Sequence, residues 1–389
     1  MPEVLKGAGG AAAPPPAPPL AAPPAAGPAL GAAGSGSPSS RFDVRALAWA
    51  LVVLALGAAF GAGGYWYEQS LASWRPTVTR DGRALQVATP QRLPARDLAL
   101  GGDNLAWTEG PFTVLVDLRT GHRKLLGTAR RAADLQGLSA SAEYVAWSVG
   151  SPAAAPGVWV YSAEGRRRQR LPGTEGVRGA PAVSGSRAAW VEAGPGAGGG
   201  EASERLIFAD LAAGRRSLVT SGPSLEWPAL AGDLVAWLAR PPGRPPVIEV
   251  RDLQAQRAWS IAPYAAGQTT LLGIALAGRT LVWSRLLPGV GGQVLAYDLD
   301  TAAVRVLASM PEVSAPAAEG GLAAWAQSDG PGAGRSSRVL AVRLPGGAAM
   351  AVAEVDGRVV HVAVSGNTVA LLVEGGSSFS GIRTVAVPR

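Results

Sequence analysis

The 389-residue sequence contains no cysteine. This excludes disulfides, thiolate metal sites, a cysteine nucleophile and the lipidated cysteine of a bacterial lipoprotein. Histidine is almost as scarce, with only His122 and His361, so multi-histidine metal sites and histidine-dependent triads have little to draw on. The sequence also lacks a G-x-S-x-G elbow, an H-E-x-x-H pair and a P-loop. No catalytic residue, metal ligand or cofactor contact is nominated, and the chain is expected not to be an enzyme. Lysine occurs only at Lys6 and Lys124, and charged residues make up 16% of the chain.

The formal net charge of +7 is dilute. Residues 1–67 carry a net +1 and the remaining +6 is spread over more than 300 residues. Nucleic-acid affinity comes from neutralising adjacent phosphates, which needs clustered cations. The one dense run, Arg166–Arg168 with Arg170, reads as an exposed hairpin, and no nucleic-acid partner is expected. Arginine in such excess over lysine, with much Ala, Gly and Pro, reflects a GC-rich bacterial genome.

Three zones follow one another. Residues 1–40 hold ten prolines, twelve alanines and two charges, Glu3 and Lys6. Such a composition favours extended polyproline conformations and cannot build a core, so residues 1–45 are expected to be a disordered tail. From Ala46 to Tyr67 run 22 uncharged residues, which as a helix would span roughly 33 Å, enough for a bilayer core. Arg41 and Arg45 precede this segment, while Tyr65, Trp66 and Tyr67 close it before Glu68. Positive charge stays cytoplasmic and aromatic rings favour the interface, which predicts a transmembrane signal-anchor with the N-terminus inside. A secreted chain, cleaved near Ala59-Phe60-Gly61, is the alternative. Residues 68–82 read as a polar linker.

A repeat organises the rest. Gly102-Asp-Asn-Leu-Ala-Trp107 recurs as Ala142-Glu-Tyr-Val-Ala-Trp147, Gly185-Ser-Arg-Ala-Ala-Trp190 and Gly232-Asp-Leu-Val-Ala-Trp237. Gly278-Arg-Thr-Leu-Val-Trp283, Gly320-Gly-Leu-Ala-Ala-Trp325 and the Trp-less Gly366-Asn-Thr-Val-Ala-Leu371 complete the set, at spacings of 40, 43, 47, 46, 42 and 46 residues. Each copy follows a short apolar stretch and precedes an apolar strand, often ending in Asp-Leu, then a tight turn and a fourth strand. Four short antiparallel strands per 40–50 residues are the signature of propeller blades. After Val359 the C-terminus supplies only three strands, ending in Arg383–Val387, and Ala84–Ala88 is available as the fourth. Pairing the two ends predicts an all-β, seven-bladed β-propeller over residues 83–389, with six blades as the alternative.

The repeated G-D-x-(L/V)-A-W, followed by an apolar strand, D-L and a turn (Thr120-Gly121 in the first copy), resembles the TolB-type propeller repeats. The resemblance covers about 300 residues and implies a blade, not an activity. The leading S-P-D-G of those repeats is reduced here to A-G-D, S-G-S or A-G-R. The α/β domain that precedes the TolB propeller is expected to be replaced by the membrane anchor.

Several motifs carry structure more readily than chemistry. The six in-register tryptophans read as packing between blades, whereas Trp159, Trp227 and Trp259 are out of register and are candidates for exposed contacts. Asp117, Asp210, Asp252 and Asp298 recur at one strand-to-turn position, where Asp accepts backbone amides. Gly194–Gly199 satisfies GxGxxG but sits between strands with no helix after it, so it is read as a loop. Ser377–Ser380 lacks the strand-to-helix turn of a nucleophile elbow. His122 is placed at an outer strand and His361 on an inner strand near the central channel.

Long loops between second and third strands are expected at Ala193–Ser203, Arg240–Pro246, Leu286–Gly292 and Gln327–Ser337, all on one face. Elaboration confined to one face marks a working surface. Arg240, Arg244, Arg285 and Arg335 lie in or beside these loops and form a possible basic rim for an envelope protein or acidic polymer. The expected function is a non-catalytic protein- or polymer-binding scaffold, membrane-anchored and extracytoplasmic. The alternative is a small-ligand receptor or enzyme with its site at the channel mouth, a reading weakened by the mostly apolar inner strands.

Overall fold

The structure is a computed structural model that describes residues 80–81, 84–87, 95–150, 156–194, 203–263, 269–328, 336–375 and 381–388. The expected tail, the apolar segment from Ala46 to Tyr67 and nearly all of the linker lie outside the described residues. Among the described residues no helix is long and apolar enough to cross a membrane.

Seven antiparallel sheets follow one another along the chain. Their inner strands are Ala95–Gly101, Leu135–Ala140, Val177–Ser184, Leu225–Ala231, Thr270–Ala277, the broken pair Glu312–Val313 and Ala317–Glu319, and Arg358–Ser365. Each touches the inner strand of the next blade, and the last touches the first. Blade seven contributes Arg358–Ser365, Thr368–Glu374 and Gly381–Ala386 from the C-terminus. Its fourth strand is Ala84–Val87, with Ala84 opposite Val385 and Val87 opposite Ile382. The expected closure is therefore found, and the six-blade alternative falls. Arg80–Asp81 adds a short fifth strand by folding back on Ala84–Leu85, so the sheet begins inside the expected linker.

The repeated sequence has a local cause in each blade. Gly102, Gly185, Gly232, Gly278, Gly320 and Gly366 all sit at φ between +54° and +61°, in the turn from first to second strand. That left-handed conformation is open to Gly without steric penalty. Blade two has Ala142 there instead, and the Ser141 hydroxyl accepts the Glu143 and Tyr144 amides to hold its turn.

The second strand then delivers its tryptophan to a seam. Trp107, Trp147, Trp190, Trp237, Trp283 and Trp325 are at most 3% exposed, and each packs against the preceding blade. Trp237 clusters with Val191 and Leu206 of blade three, Trp283 with Leu238 and Ile248 of blade four, and Trp107 with Ala370, Leu372 and Ile382 of blade seven. A radial fold buries each sheet only against its neighbours, and a large flat ring fills the wedge between two twisted sheets. Leu371 takes that place between blades seven and six.

The turn aspartates act as expected. Asp117 accepts the Arg119 and Thr120 amides at 2.9 Å, Asp252 those of Gln254 and Ala255, and Asp298 those of Asp300 and Thr301. Asp210 accepts the Ala213 amide and is ion-paired with Arg187. The hairpin of Gly157–Ser162 and Arg167–Arg170 bears the arginine run on an exposed edge. There Arg168 lies over Trp159 and donates to the Leu126 carbonyl, and Arg170 pairs with Glu175.

Candidate functional site

First-to-second and third-to-fourth strand turns share one face, and the remaining connections share the other. On that second face, the elaborated loops follow the sequence reading in blades three and four, where strands stop at Ala193 and Ala239 and resume at Glu204 and Val247. Blade five differs. Thr280–Leu287 and Gly291–Asp298 pair through Leu287 opposite Gly291, so the expected long loop at Leu286–Gly292 is a tight hairpin. The glycines there extend the strand ladder instead of loosening it. In blade six, residues 329–335 fall outside the described residues, and Arg335 with them.

A cavity of about 1260 Å³ opens on this face at blade four. Its lip carries Pro223, Pro241, Pro245, Pro246 and Pro288, and its charged lining is Arg240, Arg244, Arg251 and Glu249. Proline places rigid apolar surface at the rim without backbone donors to satisfy. The Arg240 guanidinium donates to both carboxylate oxygens of Glu226, at 2.9 and 3.3 Å. Arg251 lies over the Trp237 ring, 5.8 Å from its centroid, and Glu249 accepts the Ser260 hydroxyl. Arg244 is exposed on the loop.

Arg285 does not join this rim. It sits within Thr280–Leu287, half-buried, with its guanidinium donating twice to the Gln293 side chain and once to the Pro263 carbonyl. Burial pulls its pKa below the ordinary arginine value. The sequence reading thus brings two of its four arginines to one cavity, while the third is held within blade five. Of the out-of-register tryptophans, Trp159 stacks on Trp147 at 6.3 Å, and Trp259 is flanked by Arg257 and Arg279. Trp227 is the exposed one, at 37%. It occupies a bulge of the inner strand of blade four at φ +51°.

The second concave feature is the central channel, a space of about 250 Å³ bounded by residues from all seven inner strands. Its walls are Leu, Ala, Val, Pro and Ile with Ser139 and Ser184, and its ionisable lining side chains are Glu319 and His361. The mostly apolar inner strands expected from sequence are present, and so is His361 on the channel wall. His361 Nε2 lies 3.0 Å from Asp97 Oδ1, across the seam between blades seven and one. Burial works against the imidazolium, but the Asp97 carboxylate outweighs it and raises the pKa above the ordinary histidine value. Burial also raises the Glu319 carboxyl, opposed by the neighbouring Ser365 hydroxyl. His122 sits in a turn of blade one, remote from the channel wall.

Asp97 and Glu319 escaped the sequence reading, although Glu319 left a signal. The residue before the blade turn is Gly101, Ser141, Ser184, Ala231, Ala277, Glu319 and Ser365 in blades one to seven. Only blade six departs from a small side chain there. Among the described residues no group of three or more His, Asp or Glu is arranged to hold a metal ion.

No family model and no curated protein matches the sequence, but solved structures match its fold. An oligogalacturonate lyase in complex with manganese superposes with a TM-score of 0.54 at 15% identity, over 77% of this chain and 92% of its own. The β-propeller domain of the trilobed protease from Pyrococcus furiosus gives 0.54 at 10% identity, over 75% and 95%. The likeness is one of fold. The Pyrococcus domain is described as having an open velcro topology, whereas here Ala84–Val87 and Gly381–Ala386 close the ring. TolB from Acinetobacter baumannii also matches, at 14% identity over 81% of this chain and 90% of its own, with a TM-score of 0.43. The propeller expected from the TolB-type repeats is present.

Proposed function

We propose that this protein is a non-catalytic binding module, held at the extracytoplasmic side of a membrane by residues 46–67, that engages a partner protein or acidic polymer through the elaborated face of blade four. The observation that carries this reading is the cavity edged by Arg240 and Arg244. It lies on the face where loops vary without disturbing the blades, and its charged lining is mostly cationic. Rigid proline edges lower the ordering cost of binding.

The test is capture from envelope extract by the full chain in detergent, compared with two charge reversals. Arg244→Glu is expected to weaken retention about tenfold, as for loss of a charge-assisted contact, with unchanged melting. Arg285→Glu is expected to lower the melting temperature, because its guanidinium serves the fold. Retention indifferent to Arg244→Glu would refute the assignment of this face. A second reading, a small-ligand receptor at the channel, is favoured by Glu319 and His361 on a mostly apolar wall.

A further inference from the structure

The blade-four cavity lies where a short side chain stands in the place of a long one. Two residues after the in-register tryptophan, blades one and three carry Glu109 and Glu192, both buried. Their carboxylates accept the Trp107 and Trp190 N–H groups at 3.4 and 3.3 Å. Among the seven blades this position is smallest in blade four, at Ala239. Ala239 and Trp237 both line the cavity, and the Trp237 N–H has no hydrogen-bond partner among the described residues.

What the cavity presents is polar. Leu225 and Trp237 of its lining are at most 5% exposed, and Arg251 lies over the indole while donating to the Val219 carbonyl. Thr220, Ser221 and Thr270 line the cavity with hydroxyls that hold no hydrogen bond among the described residues. Glu249 accepts the Ser260 hydroxyl through one oxygen, leaving the other for a further donor. The Arg244 guanidinium likewise has no partner among the described residues. Three guanidinium groups against Glu249 leave two positive charges, and Glu226 offsets one of them through Arg240.

We propose that the blade-four cavity takes an acidic glycan, with a uronate carboxylate on the arginines and sugar hydroxyls on Thr220, Ser221, Thr270 and Glu249. The proposal rests on the blade-four reading and names the class of polymer. A single net positive charge matches a sugar unit bearing one carboxylate and is a poor match for the dense charge of a polyphosphate. A guanidinium fork suits a planar carboxylate. Sugar hydroxyls both donate and accept, which is what a wall of Ser and Thr hydroxyls with one carboxylate can pair with. The volume of about 1260 Å³ exceeds the roughly 300–1,000 Å³ of sites for drug-sized ligands, so linked rings fit. A peptide is disfavoured on two counts. The five rim prolines have no N–H to offer its carbonyls, and the aromatic of the lining, Trp237, is too buried to anchor its side chains.

The experiment uses the full chain in detergent and four probes: trimannuronate, its methyl ester, triglutamate and tripolyphosphate. Binding is read by calorimetry and by saturation-transfer NMR. Trimannuronate is expected to bind saturably with one site per chain, about tenfold or more tighter than the ester, which keeps the hydroxyls and loses the charge. It is also expected to bind tighter than triglutamate and tripolyphosphate, which keep charge and lack the hydroxyls. Arg244→Gln is expected to cut the preference over the ester about tenfold, and Ser221→Ala with Thr270→Val to cut the preference over triglutamate. All three positions are exposed, so melting is expected to be unchanged, and the comparison of probes on the native chain needs no variant. No binding of trimannuronate, equal binding of its ester, or equal binding of triglutamate or tripolyphosphate overturns the proposal. Arg244-dependent retention of an envelope protein by a chain that ignores trimannuronate would overturn the glycan and leave the blade-four reading standing, whereas loss of both would overturn both.

Discussion

Trp237→Ala tests the packing of the propeller most directly. Trp237 is 3% exposed and sits in a cluster that joins Val191 and Leu206 of blade three to Leu225 and Leu230 of blade four. A tryptophan in that state removes about 200 Å² from water, or about 5 kcal/mol at about 25 cal/mol per Å². That is an upper bound, because the unfolded chain already covers part of the ring. The ring also borders the large cavity of blade four, so water can fill part of the space it vacates and the void term is reduced. Loss of the Arg251 guanidinium stacked on its face adds about 0.5–1 kcal/mol. The expected destabilisation is about 3–4 kcal/mol, within the range for truncating a core tryptophan. Trp227→Gly is the control. Trp227 is 37% exposed and sits at φ +51°, where glycine relieves about 1–2 kcal/mol of backbone strain, so the net change is expected within about 1 kcal/mol. Urea unfolding followed by far-ultraviolet circular dichroism measures both. A loss below about 1.5 kcal/mol for Trp237→Ala, or equal losses for the two variants, would refute the assignment of the in-register tryptophans as seam fillers.

The Asp97–His361 pair predicts a pH dependence with a definite sign. Folding raises the His361 pKa, so its contribution is complete below the unfolded value of about 6.5 and is lost as pH rises through the raised folded value. The melting-temperature difference between the native chain and His361→Gln should therefore shrink as pH rises from below about 6.5 through the raised folded value, and Asp97→Asn should abolish the trend; a difference that grows with pH contradicts the pairing. Closure of the ring predicts that a chain starting at residue 90 is less stable than one starting at residue 75 by about 2–4 kcal/mol, the net worth of the ladder between Ala84–Val87 and Gly381–Ala386. Equal urea midpoints for the two chains would show that the seam does not hold the blade.

Repetition made the fold readable. Six tryptophans at near-constant spacing, each five residues after the turn position, marked the second strand of six blades, and counting strands at both ends located the closing pair. The in-register tryptophans and turn aspartates were legible because identical geometry demands the same residue type in each blade. The long loop expected at Leu286–Gly292 failed for a local reason: its glycines and proline suit a tight hairpin as well as a spacer, and only strand register separates the two. Arg285 was misplaced as a consequence. A cation near a presumed loop turned out to lie within a strand, with its donors directed to Gln293 and Pro263.

Glu319 was harder to read because it departs from the repeat, and attention to the shared residues of the copies passes over a single exception. Blade geometry explains why Gly101, Ser141, Ser184 and Ser365 are small: a side chain at Gly101 would meet the backbone of the next blade, and the three serines bond to a neighbouring blade's backbone. Nothing in that geometry asks for a glutamate at residue 319, and the buried, unmatched Oε2 opposes it. Trp227 is a parallel case, a bulky ring at a left-handed bulge where blade three has Gly179 at φ +69°. A scaffold selected for stability alone would retain the small residue at both places. Each exception carries a cost that the blades do not recover, and Glu319 carries it beside the central channel.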